Sequence, residues 1–151
     1  MIPAFPYTWP VPFQLSLPDD LEERLGRLGG VIGDAAPGVD FAYLFGSTAE
    51  GRRTAHSDVD LAIHLAAGAD SHVARLDVAH AARKHLGTDA VDVVVLNSAP
   101  LSLAGRVLTS RRVVLDRAPF ARHRYESVTA RMFQDFRLRE HRLLAQRYPR
   151  G

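Results

Sequence analysis

Residues 41–65 read FAYLFGSTAEGRRTAHSDVDLAIHL, and the fold turns on how that stretch divides. Phe41-Ala42-Tyr43-Leu44-Phe45 is a short apolar run rich in aromatics, the composition of a buried strand. Gly46-Ser47-Thr48-Ala49-Glu50-Gly51 breaks it and reads as a turn or short helix. Val59-Asp60-Leu61-Ala62-Ile63-His64-Leu65 then reads as a second strand, alternating at first. A glycine at a strand end lets the backbone approach a ligand closely. The amides of such a turn, with the Ser47 hydroxyl, can cradle a phosphate. Asp58 and Asp60 stand two apart at the start of the second strand, so period-two geometry puts both carboxylates on one face. Neighbouring carboxylates repel unless a cation sits between them, and Mg²⁺ or Mn²⁺, which prefer oxygen ligands, suit such a pair.

Outward from this stretch the pattern alternates between helix and strand. On the N-terminal side, Asp19 and Glu22 make a capping-box-like start after Pro18. Leu21, Leu25, Leu28 and Ile32 follow at helical spacing, and Pro37-Gly38 ends the helix. On the C-terminal side, residues 70–86 read as a helix with Val73, Leu76 and Ala79 among its apolar positions. Val91-Asp92-Val93-Val94-Val95-Leu96 is a third strand on its β-branched content. Residues 100–109 form a short helix, and Val113-Val114-Leu115 a last strand. From Ala118 the pattern is helical, with Tyr125, Val128, Met132 and Phe136 at helical spacing and the pattern continuing to Leu143 and Leu144; Met132 and Phe136 are expected to pack into the core. The order predicts an α/β (α+β) fold: a small mixed sheet of about four strands flanked by helices, with a long C-terminal helix.

If the third strand pairs beside the second, Asp92 joins Asp58 and Asp60. Three carboxylates, metal ions and a phosphate-binding turn make a two-metal arrangement for in-line attack on a phosphoryl group, with Asp92 also able to take a proton. A lone Asp-x-Asp is commonly a turn feature. The conjunction at strand ends carries the specificity.

Composition agrees with an ordinary globular chain: 151 residues, 46% hydrophobic and 24% charged. No apolar run approaches the ~20 residues that span a bilayer, so no membrane association is expected. The absence of cysteine excludes disulfides, thiolate metal sites and a cysteine nucleophile. Nothing argues for secretion, and a cytoplasmic protein is expected. Residues 1–103 carry a net −6 and residues 104–151 a net +8, the latter all arginine on the basic side. This split suggests a metal-holding half and a half that faces phosphate or an acidic protein surface. Residues 1–18 hold five of the nine prolines, four aromatics and no charge, an extended arm ahead of a single domain over 19–151.

Gly46-Ser47, ten residues, then Asp58-x-Asp60 resembles the GS-x10-DxD signature of the DNA polymerase β-like nucleotidyltransferases. The short chain resembles the minimal nucleotidyltransferases (MNT). Val91-Asp92 through Leu96-Asn97-Ser98-Ala99-Pro100 resembles the family's third-carboxylate strand and the LN-x-x-P after it. Tyr125-Glu126 through Asp135-Phe136-Arg137 resembles the C-terminal helix of MntA-type antitoxins, which pair with HEPN toxins. The resemblance implies the nucleotidyltransferase fold, with Gly46 and Ser47 on the triphosphate, and Asp58, Asp60 and Asp92 as catalytic residues binding two Mg²⁺ (Mn²⁺ being an alternative). It implies AMP transfer from ATP to a tyrosine hydroxyl of a cognate HEPN ribonuclease toxin. Relatives often carry basic residues soon after the glycine-serine pair. Here Thr48 and Glu50 stand there, and Arg52 and Arg53 are the candidates to reach the phosphates.

Two other readings compete. One is an antitoxin that acts by occlusion alone; the other is a nucleotidyltransferase for a small molecule such as an antibiotic. His56 is the one histidine placed to touch substrate, and no histidine spacing suggests zinc. The arginines of the tail suit a toxin surface, and direct nucleic-acid binding is not expected without a recognisable motif.

Overall fold

The computed structural model describes residues 17–52 and 58–149. The arm, apart from Leu17 and Pro18, and the candidates Arg53 and His56 lie outside the described residues. The elements are α1 (Leu21–Ala35), β1 (Val39–Phe45), α2 (Gly46–Ala49), β2 (Val59–Leu65), α3 (Ser71–Leu86), β3 (Val91–Val95), a 3₁₀ turn (Leu96–Ser98), α4 (Leu101–Ser110), β4 (Arg112–Asp116) and α5 (Pro119–Arg147). The four strands form one sheet in the order β3-β2-β1-β4. β1 runs antiparallel to β2 and β4, while β2 and β3 are parallel, so the sheet is mixed as expected.

Helices cover both faces. Leu21, Leu25, Leu28 and Ile32 of α1 join Val78, Ala82 and Leu86 of α3 on one face, against Leu44, Leu61, Ile63 and Val93. On the other, Phe41, Tyr43 and Phe45 of β1 pack with Val107 and Leu108 of α4. Tyr125 of α5 lies at the edge of that second cluster. Gly29 is where α1 crosses β4, because a Cβ there would overlap the Val114 carbonyl.

Three expectations need correction. The capping box does not form: Asp20, not Asp19, precedes α1, its backbone is not extended, and its carboxylate accepts from Arg24 Nε at 2.9 Å instead. In α3 the buried residues are Ala74, Val78, Ala79, Ala82 and Leu86, so Ala79 is covered as one of the named apolar positions whereas Val73 and Leu76 are exposed. Small alanines allow the close approach of helix to sheet that the larger pair would prevent. The third correction concerns α5. Met132 and Phe136, expected in the core, are exposed at 52% and 42% of their surface, as are Val128, Leu143 and Leu144. At about 1.5 Å per residue, a 29-residue helix is roughly twice as long as the seven-residue β1 it lies on, at about 3.3 Å per residue. Its second half has outrun the sheet.

Candidate active site

The site forms where β1 ends and β2 begins. Gly46 follows Phe45 with φ +74°, a left-handed conformation that only glycine adopts cheaply. A Cβ at Gly46 would also lie 2.7 Å from Asp60 Oδ2. The turn and the carboxylate are thus built against one another. The α2 ladder starts with the Glu50 amide donating to the Gly46 carbonyl, so the amides of Ser47 and Thr48 have no ladder acceptor. The Gly46 amide is different: it donates to Ser110 Oγ at 2.9 Å and is not available to a phosphate.

Parallel pairing of β2 with β3 sets Asp60 directly opposite Asp92. The expected juxtaposition of the two carboxylates is therefore present. Asp58 precedes β2 and is exposed. It is tied to α2 through its carbonyl, which accepts from the buried Thr48 hydroxyl at 3.0 Å. Burial holds the Asp60 carboxyl above its usual range; the charges of Asp92 and then Asp58 add to the effect, and Arg106 opposes it. No group of three side chains among the described residues closes on one point as a metal cage. That openness suits Mg²⁺, which is typically held by one or two carboxylates together with substrate phosphates. The all-oxygen donors, and a half-buried carboxyl at Asp60 whose repulsion by Asp92 and Asp58 is only partly offset by Arg106, fit such an ion.

Two cavities flank the carboxylates. One, of about 360 Å³, is lined by Gly46, Ser47, Glu50, Arg52, Asp60, Arg106 and Ser110. The other, of about 390 Å³, runs from Asp92 along β3 toward Ser71 and Pro100. Arg52 does reach the first cavity, but its guanidinium is paired with Glu50. Arg106 and Ser110 are site residues that the sequence did not announce. Both sit on α4, whose pattern of Leu101, Leu103, Val107 and Leu108 marks only a buried face.

Residues 32–120 match the Polymerase beta, nucleotidyltransferase family, more than half of the chain. The protein adenylyltransferase MntA of Shewanella oneidensis is 37% identical over 79 residues, which are 52% of this chain and 55% of that relative. The chain thus spans about half the length of the curated relative it matches. A crystal structure of a toxin–antitoxin with AMP-PNP is similar at a TM-score of 0.66, with 25% identity over 81% of this chain and 96% of the other. An MntA–HepT toxin–antitoxin carrying a Y104A mutation gives a TM-score of 0.62 and 28% identity, covering 78% and 91%. The fold is shared too with the tri-AMPylated Shewanella oneidensis HEPN toxin in complex with MNT antitoxin, at a TM-score of 0.63 and 23% identity over 83% and 97%. The glycine-serine turn packed on one carboxylate, the second carboxylate in register beside it, and the match across 32–120 lead to one conclusion: this chain belongs to the Polymerase beta nucleotidyltransferase family.

Proposed function

We propose that this protein is a cytoplasmic antitoxin that transfers AMP from ATP to a tyrosine hydroxyl of a cognate HEPN ribonuclease toxin and so silences it. The observation that carries the reading is the cavity shared by the Gly46-Ser47 turn, Asp60 and Arg106, with Asp92 in register alongside. The similarity to the MntA adenylyltransferase and to toxin–antitoxin structures supports it.

In this reading Ser47 and the first amides of α2 hold the triphosphate, with Arg106 and Arg52 against its charge. Arg52 must leave Glu50 to do so. Asp58, Asp60 and Asp92 would hold Mg²⁺, which when bound supplies positive charge to the phosphates and acidifies the attacking hydroxyl. The acceptor oxygen bonds to the α-phosphorus, the bond to the pyrophosphate oxygen breaks, and Asp92 takes the acceptor's proton. The many large apolar residues exposed along α5, among them Met132, Phe136, Leu138 and Leu143, favour a protein acceptor over a small molecule, because so much exposed apolar surface normally meets a partner.

Intact mass spectrometry of the purified HEPN toxin after incubation with this protein, ATP and Mg²⁺ tests the reading. A gain of one or more AMP masses, lost with Asp58→Asn/Asp60→Asn, is expected. The Glu50–Arg52 pair favours the second reading, neutralisation by occlusion alone. A stable complex with no mass gain would establish that instead.

A further inference from the structure

We propose that the acceptor is presented as an extended stretch of peptide backbone laid along the free edge of β3, which delivers its hydroxyl to Asp92. This rests on the adenylyl-transfer reading above and adds how the substrate is held.

Among the described residues β3 pairs with β2 alone. The alternation of its backbone is fixed at one end. The Ala90 carbonyl accepts from the Val59 amide on the β2 side, and the Val91 carbonyl accepts from the Arg83 guanidinium on the outer side. Strand geometry then turns the N–H and C=O groups of Val93 and Val95 outward. Both residues line a groove of about 390 Å³, Val95 half-buried and Val93 with 3% of its surface exposed, which is floored by Asp92 to Val95 and walled by His72 and Arg75 of α3 and by Ser98 and Leu103. From Asp92 to Val95 is about 10 Å, room for three or four extended residues.

Proteins ordinarily blunt an open edge with lysine, proline, a bulge or a cover. β3 reads Val91-Asp92-Val93-Val94-Val95, with none of those residues and no register shift against β2. Arg83 caps the outer Val91 carbonyl and Asp92 carries a charge, but from Val93 to Val95 no described residue pairs with the edge, and a valine-rich edge of that kind invites another strand. Here one end of that edge is the carboxylate placed beside Asp60. A small molecule is better matched by an enclosed apolar pocket with a few polar groups. A long groove with a backbone floor matches strand addition, in which main-chain hydrogen bonds supply affinity and alternate side chains supply choice. The occupant is therefore an extended peptide segment carrying a hydroxyl side chain.

The test begins with amide hydrogen exchange on the full-length protein, alone and with saturating purified HEPN toxin, ATP omitted. The amides of Val93 and Val95 are expected to slow at least tenfold; no slowing at either overturns the proposal, whatever the toxin's mass does. Val95→Pro removes one outward donor. Val95 has φ −94°, near the range proline adopts, and its N–H is not part of the β2 ladder. Val95→Ala loses the same packing and keeps the donor. Val95→Pro is expected to lower kcat/KM for toxin about tenfold below Val95→Ala, with the same ATP affinity in both variants. Equal transfer by the two variants would also overturn the edge proposal. Slowed amides in a wild-type complex that adds no AMP would instead sink the catalytic reading and keep the edge as the docking site.

Discussion

Gly46 carries two constraints at once, and each sets a cost for any side chain. The left-handed φ alone disfavours alanine by about 1 kcal/mol, and the added methyl would displace Asp60 Oδ2. Gly46→Ala is expected to lower the melting temperature modestly and to weaken ATP binding more than tenfold, as calorimetry would read. Asp60 gives the opposite sign for stability. Its carboxyl is held above the ordinary value of 3.8, chiefly by burial and then by Asp92 and Asp58. A raised folded-state pKa means that ionisation costs stability once the pH exceeds the unfolded value, and that the cost persists at neutral pH. Asp60→Asn should therefore melt higher than wild type near neutral pH without Mg²⁺, the gap closing below about pH 4. Mg²⁺ with ATP should raise the wild-type melting temperature and leave the variant unmoved. A variant that melts lower at neutral pH would contradict this account. The residues legible in the sequence were those whose chemistry is local: Gly46, Ser47, Asp58, Asp60 and Asp92. Ser110 bonds Gly46 from 64 positions away, and nothing in the pattern of α4 distinguishes Ser110 or Arg106 from a solvated face. Arg52 was legible as a cation near the cavity, but not its capture by Glu50.

Elements are locked to one another by single polar side chains. Thr48 stands where relatives often carry a basic residue. It is buried and holds the Asp58 carbonyl, so here the position serves the loop into β2 rather than the phosphates. Asn97, in the LN-x-x-P stretch, brackets β2: its Oδ1 accepts from the Leu65 amide at 2.8 Å and its Nδ2 donates to the Leu65 carbonyl at 2.9 Å. The motif was visible in the sequence; the bond across 32 positions was not. The largest such lock fastens α5. The Tyr43 hydroxyl donates to Glu126 Oε1 at 2.8 Å, and Arg122 and Arg111 donate to the same oxygen. Burial works against ionisation of Glu126, but Tyr43, Arg122 and Arg111 outweigh it and hold the carboxyl below its ordinary 4.5. Burial and the adjacent Glu126 charge push the Tyr43 phenol far up. A depressed carboxylate contributes stability that is present above its unfolded pKa and disappears as the pH falls through the folded one. Glu126→Gln should thus cost about 1–3 kcal/mol near neutral pH, and the difference from wild type should shrink in melts taken below about pH 4. A deficit unchanged down to pH 3 would mean that the network matters for shape and not for charge.

At the scale of the molecule, the charge split and the length of α5 belong together. The acidic half contains the carboxylate site; the arginine-rich half ends in a helix that leaves the domain. From Gln134 to Arg147 every residue is exposed. An unsupported helix of some 14 residues is marginal in water. Met132, Phe136 and Leu143 fall on the line begun by Tyr125, but Arg139 and Glu140 interrupt it and Leu138 is exposed on the opposite side, so the apolar residues of α5 are exposed without making one continuous face. Met132 and Phe136 do not pack into the core as expected, because helical spacing does not report what covers a residue. Arg131, Arg137, Arg139, Arg142 and Arg147 outnumber Asp135 and Glu140 along this stretch, so the helix suits an acidic partner surface. Without toxin, amides of residues 134–147 should exchange close to the unfolded rate while β1 and β2 stay protected; toxin should slow them at least tenfold. Leu143→Glu/Leu144→Glu puts two carboxylates among these exposed apolar residues without touching the sheet. It should raise the Kd for toxin at least a hundredfold, because each charge would be buried unpaired, and leave the melting temperature and ATP affinity of the isolated protein as they were. Loss of ATP affinity in that variant would mean that α5 feeds back on the site through Glu126 and Tyr43. Wild-type toxin affinity would mean that the helix is not the docking surface and that the groove along β3 holds the partner alone.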